Sequence, residues 1–514
     1  MTEARVATRF ACDADFSVND LLQRLQHTGT LHGPVDARVD EVYLDTRTDE
    51  LAGAGLSARL REVAGVRTVA LVVVPIDPAV TIDAPPVERA FPRGADVGEG
   101  IRAWVRERFG WTLSEAPREV LTLVIARRRW AHVTDAGSTE FVVDEVSASE
   151  PHGRRARFTE LAIEGGGSVL GALGRQGGHT VARRSTFERA RDALGLGEYR
   201  YGTKPAALDP EDLLVDAARA VVAAWWSNAC AHAPGVRVGL DPEHVHKMRV
   251  ALRRLRTALR LFDDAFDDAA LTAVRDRVRT LARALGEVRD LDVQLESLGR
   301  WRDRFAMVDA LGWDDVALRI ERRRSRARAR ALVLLEGEPW RLIAADLERC
   351  LAPDSRGLRH TVGAVAGGLV AKGAERCSRA IRRLDEGGAE EAHALRIDIK
   401  NLRYSLDFLG VALPGALDIV EDRLAQLQEG LGNVQDDVQT GAFAAQLVAM
   451  APPPPSATAF ALGTLVGYGR ARADLASAIA RAAVAEVDFT DALAQLVALG
   501  RGDERPAAGR GRRG

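Results

Sequence analysis

The rhythm of hydrophobic and polar positions changes once along this chain. Up to about residue 195, short aliphatic runs such as Val69 to Val74, Val120 to Ile125 and Phe141 to Val143 are separated by clusters of Gly, Pro and Asp, the texture of strands joined by turns. From about Pro210 onward, long stretches of Ala, Leu, Arg and Glu take over. There Met248, Ala251, Leu252, Leu255, Leu259 and Phe262 recur at helical spacing and form the apolar stripe of a core-facing helix. The segment Gly195 to Asp209, which contains Pro205, reads as a connection. The pattern predicts a multidomain α and β protein: a mostly β domain over 1–195, a linker over 196–210 and an all-α domain over 211–500.

The side of that helix opposite the apolar stripe carries a motif that occurs twice. His246, Arg249, Arg253 and Arg256 return as His393, Arg396, Lys400 and Arg403, each displaced by 147 residues. At about 100° per residue, the four positions fall within a sector of roughly 80°, so each copy presents one His and three cations on one face. Arg260 extends the first row, and Lys247 and Arg254 add to its charge. A second echo follows at 146 residues, where Leu285-Gly286-x-x-Arg289-Asp290 reappears as Leu431-Gly432-x-x-Gln435-Asp436. Two pseudo-symmetric helical bundles, with halves of about 211–350 and 351–500, would bring the basic faces together. A groove lined by one sign of charge attracts polyanions.

Formal net charge is −2, from 71 basic and 73 acidic residues. Attraction for a polyanion must therefore come from local clustering. Asp290, Asp292, Asp436 and Asp437 would either bridge a divalent ion to the ligand or pair with the bundle's own arginines, as in Arg289 with Asp290; pairing is the favoured reading. Arg319 to Arg330 holds seven Arg and one Glu, and without a counterpart in the other half it reads as an exposed helix face. His246 and His393 lack an accompanying acid and nucleophile, and they fit hydrogen-bond donation to phosphate. Four cysteines without Cys-x-x-Cys spacing argue against a zinc site or a disulfide framework and suit a reducing compartment. No apolar run approaches the length of a signal peptide core or a membrane span, so the expectation is a cytoplasmic protein. Pro452 to Pro455 marks a loop, and the Gly- and Arg-rich 501–514 reads as a disordered tail.

His246 to Arg256, Arg289-Asp290, His393 to Tyr404 and Leu431-Gly432 resemble the CHAD domain, the conserved-histidine α-helical domain. The resemblance covers about 211–500 and implies two four-helix bundles that bind inorganic polyphosphate without catalysis. Granules of polyphosphate are then a further expected partner.

The first domain resembles the CYTH or triphosphate tunnel superfamily through Tyr43 to Thr46, Leu56-x-x-Arg59-Leu60-Arg61, Arg127 to Trp130, Val143-Asp144-Glu145, Glu160-x-x-x-Glu164 and Ser185 to Arg189. That resemblance implies an eight-stranded antiparallel β tunnel holding triphosphate and metal. The chain departs from it where the family has Glu-x-Glu-x-Lys, since Arg5-x-Ala7-x-Arg9 stands there, and again at Ala162. A hard divalent cation loses oxygen ligands by these changes, so the domain is expected to be impaired or inactive. Arg59 with Arg61, and Arg127 with Arg129, alternate along strands and share a face; they would bind phosphate inside a tunnel or lie exposed outside it. Glu160 and Glu164 are weak metal candidates, read more readily as surface carboxylates.

The leading function is therefore non-catalytic polyphosphate binding, with no cofactor required. A metal-dependent triphosphatase using Mg2+ or Mn2+ in the first domain is the alternative. Nucleic acid is a less favoured ligand, because the basic helices carry no interleaved aromatic apart from Tyr404.

Overall fold

Alternation of apolar and polar residues along the N-terminal strands builds a sheet with two unlike faces. The computed structural model describes residues 7–63, 66–76, 86–92, 94–151, 153–164, 168–182, 184–196, 202, 208–266, 270–308, 310–352, 360–384, 387–450 and 452–501. Arg5, most of the expected linker and the tail beyond Arg501 lie outside them.

The first unit contains β1 (Ala7–Cys12), α1 (Val18–Gln26), β2 (Thr30–Asp45), α2 (Glu50–Gly53), β3 (Leu56–Val63), β4 (Val66–Val73), β5 (Val87–Phe91), α3 (Val97–Phe109), β6 (Arg118–Thr134), β7 (Gly137–Ser149), β8 (Arg155–Glu164), α4 (Ser168–Leu173), β9 (His179–Val181) and α5 (Thr186–Ala193). The strands form one nine-stranded sheet in the order β5-β4-β3-β2-β6-β7-β8-β1-β9. Every pairing is antiparallel, and none among the described residues joins β5 to β9.

One face is apolar. Leu44, Ala58, Val69 and Leu71 pack against Ile101, Trp104 and Val105 of α3, while Phe10, Trp130, Phe141, Leu161 and Ile163 pack against α1 and α4. On the other face, Tyr43, Leu123, Ile125 and Val146 receive Phe187 and Ala190 of α5. Ser185 starts α5 with a capping box closed by Glu188. Contacts also place residues 231–244 in this unit and leave the other described residues from 202 to 501 in the second. The physical reason is local: Val238 and Leu240 join the cluster around Ile101, and Asp241 accepts the Ile76 N–H at 3.0 Å.

The second unit is helical, in two successive sets. The first is α6 (Leu214–Val238) and α7 (Glu243–Leu261), apart from their residues within 231–244, which belong to the first unit, then α8 (Ala270–Arg304), α9 (Ala310–Glu336) and α10 (Glu338–Cys350). The second is α11 (Val362–Arg383), α12 (Ala389–Leu409), α13 (Ala416–Val448), α14 (Ser456–Glu486) and α15 (Phe489–Arg501). Each set thus has five helices among the described residues, the last one short, where the resemblance implied bundles of four. The entries to the two sets pair antiparallel, with the Leu214 N–H on the His360 carbonyl at 2.8 Å and the Val362 N–H on the Asp212 carbonyl at 2.9 Å. The apolar stripe of α7, from Met248 to Phe262, is at most 2% exposed. Leu395, Ile399, Leu402, Leu406 and Leu409 bury the matching face of α12. Pro455 caps α14, so the proline run is a loop. Among the described residues, no helix is long and apolar enough to cross a membrane.

Candidate polyanion-binding site

With their apolar stripes buried, α7 and α12 turn their polar rows toward a groove in the helical unit. A cavity of about 1250 Å³ is lined by His246, Arg249 and Arg253 of α7 and by His393, Arg396 and Lys400 of α12. A second cavity of about 900 Å³ adjoins it through Arg249, Arg253, Asp290, Gln294 and Gln439. Together they are lined by thirteen Arg or Lys and five Asp or Glu, a formal excess of eight positive charges.

The repeated Leu-Gly segment supports these cations. A Cβ added to Gly286 of α8 would stand 3.7 Å from the Arg249 guanidinium, and one added to Gly432 of α13 would stand 3.9 Å from that of Arg396. Each glycine is thus a flat bed for the equivalent arginine, and a side chain longer than alanine would take the guanidinium's place. The two halves meet at equivalent positions on the groove floor, where Gln294 donates to the Thr440 hydroxyl at 3.5 Å.

Arg249 is held by Asp290 at 2.8 Å. Among the described residues, Arg253, Arg396 and Lys400 have no ion-paired carboxylate, and the Arg253 Nε, Arg396 Nε and His393 Nδ1 atoms are buried without hydrogen-bond partners. Burial, followed by the charges of Arg396, Arg253 and Arg249, lowers Lys400 to about 8 against the opposing pull of Asp436. Arg396 is lowered too, by burial first and then by Arg253 and Arg249, with Asp436 again opposing. Burial raises the Asp436 carboxyl although Arg396 and Lys400 stand beside it. Cations crowded in this way gain from any anion that enters.

The remaining sequence candidates sit elsewhere. Arg254 pairs with Asp407 at 3.1 Å and lies over the rings of Trp225 and Tyr404. Arg403 donates to Gln428, and Lys247, Arg260 and Arg403 line neither cavity. Arg256 lines only the smaller one. Three of the four aspartates pair with the bundle's own arginines, though with partners other than the adjacent one: Asp290 with Arg249, Asp292 with Arg324, and Asp437 with Arg472, while Arg289 turns to Glu296; Asp436 has no ion pair among the described residues. The arginine run on α9 is not simply an exposed face, because Arg323 and Arg330 line the smaller cavity.

Sequence reasoning missed Arg279, Arg283, Arg300 and Arg304 of α8, all of which line the groove. Their signal was present. Positions 279, 283, 286, 290, 293, 297, 300 and 304 follow helical spacing and share one face.

On the sheet, the register puts Arg59, Arg61, Arg127 and Arg129 on one face with Glu41, Asp144 and Glu160. There each of these arginines has a carboxylate beside it. Glu41 is shared by Arg59 and Arg61 and accepts the Tyr43 hydroxyl at 2.7 Å. Burial pushes its carboxyl up, but hydrogen bonds from Arg61 and Tyr43 outweigh that and hold it below the usual range. Arg127 grips Asp144 with two bonds of 2.7 Å, and Arg129 lies 3.8 Å from Glu140. Glu160 is no surface carboxylate: it is 4% exposed, accepts from Thr186 at 2.7 Å and Arg189 at 2.8 Å, and has Arg9 at 3.8 Å. Glu164 is only partly buried. A metal ion here would have to displace arginines from the oxygens it needs, so these residues do not fit one. Among the described residues, no group of three or more His, Cys, Asp or Glu is placed to hold a metal.

Comparison with known proteins gives one family match, in which the CHAD domain model covers residues 220–445. No curated protein matches the chain. Similar solved structures include the CHAD domain from the plant Ricinus communis, 27% identical, with a TM-score of 0.47 over 56% of this chain and 97% of that one. PptA from Streptomyces chartreusis is 20% identical, with a TM-score of 0.40 over 55% and 97%. The PH1819 protein from Pyrococcus horikoshii OT3 is 16% identical, with a TM-score of 0.21 over 36% and 99%.

Proposed function

Starting from the CHAD domain that occupies residues 220–445, a family that binds polyphosphate, we propose that this protein binds linear inorganic polyphosphate in the helical groove and does so without catalysis. The observation that carries this reading is the meeting of both copies of the motif, Arg249 and Arg253 with Arg396 and Lys400, where three of the four cations have no ion-paired carboxylate among the described residues. Arginine supplies a planar fork for two phosphate oxygens, and lysine supplies a point charge. His246 and His393 line the same cavity and donate hydrogen bonds to phosphate when protonated. Binding in a polyphosphate granule would use the same contacts.

Two observations separate this ligand from the others. Tyr404, beside the basic rows, is 7% exposed and lies under Arg253 and Arg254; of the aromatics that line the cavities, Trp301 is 8% exposed, and Tyr468 and Phe443 already lie under Arg304 and Arg323, so none offers a free platform for a nucleobase. The sheet-face carboxylates are bound to arginines, which argues against a metal-dependent triphosphatase there. Competition between long-chain polyphosphate and single-stranded RNA at matched phosphate concentration tests the proposal. Polyphosphate should displace RNA at low occupancy and lose affinity with added salt; preferential retention of RNA would overturn the assignment, and turnover of tripolyphosphate with Mg2+ or Mn2+ would establish the enzyme instead.

A further inference from the structure

The groove does not share the symmetry of the motif that builds it. Past Arg253, the smaller cavity takes all its cations from the first half, with Arg256 of α7 and Arg279 and Arg283 of α8 among them, while α13 of the second half contributes only Gln439, Ala442, Phe443 and Gln446. Arg279 and Arg283 are one helical turn apart and therefore neighbours on the α8 surface. Among the described residues, none of the three is ion-paired. Of the carboxylates lining this cavity, Glu287 is held by Arg330 and Asp290 by Arg249. Burial and then the nearby Arg279 and Arg283 charges weaken the hold of Arg256 on its proton. At the positions displaced by 147 and 146 residues, the second half has Arg403, Ala425 and Glu429. One arginine remains there, one cation is gone and one is reversed in sign.

We infer that Arg256, Arg279 and Arg283 form a second phosphate subsite, which extends the groove in one direction and seats a long polyphosphate chain off-centre across the two halves. The inference rests on the polyphosphate reading of the central groove. Three like charges held together by two helices oppose folding unless an anion joins them, and the cavity is open to receive one. Along α8, Arg279 to Arg304 spans about 37 Å at 1.5 Å per residue, so a long chain engages the whole row, while a triphosphate held by the central cations of both halves engages only part of it. The subsite thus discriminates by length.

The test is calorimetric titration of the full chain and of its Arg279→Gln, Arg283→Gln variant with tripolyphosphate and with long-chain polyphosphate at several salt concentrations. Tripolyphosphate affinity should stay within about twofold, while long-chain affinity falls roughly tenfold and its log–log salt slope becomes shallower by about 1.4, or 0.7 per lost contact to a single-stranded polyanion. Unchanged long-chain binding, or an equal loss for both ligands, would overturn the subsite and leave the central groove intact. No binding of either ligand by the wild type would instead remove the polyphosphate reading itself. If the variant fails to fold, Ala425→Arg with Glu429→Arg decides the matter: it should strengthen long-chain binding severalfold, and no gain overturns the subsite.

Discussion

On the sheet face, Arg59, Arg61, Arg127 and Arg129 each have a carboxylate within ion-pairing distance; in the helical groove, Arg253, Arg396 and Lys400 face one another and have none among the described residues. The two regions use the same residue type for different ends. Across antiparallel strands the register sets Arg127 opposite Asp144, so a cation placed there becomes a cross-link of the fold. In the groove Asp290 is taken up by Arg249, and Asp436 only partly offsets the charge on Arg396 and Lys400 without pairing with either, so the remaining field is left for a ligand. What distinguishes a binding arginine from a structural one is therefore the residue across from it.

The sharpest way to break the comparison is to remove a carboxylate from the sheet. Glu160→Ala strands Arg189, whose side chain is 16% exposed, and frees Thr186 at the start of α5. Breaking a buried pair costs about 3–5 kcal/mol, so thermal denaturation should show a strongly destabilised protein. A change below about 1 kcal/mol would mean that the sheet charges are not structural.

Lys400 sharpens the comparison from the other side. Its ammonium is lowered from 10.5 to about 8, so the ligand-free fold pays for the charged form fully below pH 8, and the penalty fades as pH rises from there through 10.5. Lys400→Met should stabilise the ligand-free protein by about 1–3 kcal/mol at pH 7, an advantage that shrinks toward pH 10, and should weaken polyphosphate binding. Wild-type affinity should fall as pH rises through 8, and binding at that pH should take up protons, read from calorimetry in buffers of different ionisation enthalpy. Proton release on binding would contradict the charge crowding.

A smaller effect separates packing from binding within the helical unit. Arg254→Ala loses the Asp407 pair and two aromatic contacts and should cost about 1 kcal/mol of stability with less than a twofold change in polyphosphate affinity. A tenfold loss of affinity would return Arg254 to the site.

Much of the groove was legible because its signals are local. The stripe of α7, the displaced copy on α12 and the Leu-Gly echo all follow from helical periodicity, and they proved to be a buried face, an opposing row and two flat beds for arginine. What stayed hidden depended on distant partners. Asp290 chose Arg249 across the groove over its neighbour Arg289, and Arg254, one position beyond Arg253, pairs with Asp407 and lies over Trp225. On the sheet, alternation told that Arg59 and Arg61 share a face, but pairing of β2 with β6 was needed to show Glu41 and Arg127 on that same face. Five helices per half also escaped the pattern, since α10 and α15 carry no part of the repeated motif.

The central claim is tested most directly by titrating the full chain with long-chain polyphosphate beside two double variants, Arg253→Ala with Lys400→Ala in the groove and Arg59→Ala with Arg127→Ala on the sheet. Affinity should fall at least a hundredfold in the first, about 1.5–3 kcal/mol for each charge-assisted contact, and stay at the wild-type value in the second. Equal losses in both, or a loss confined to the sheet variant, would contradict that claim.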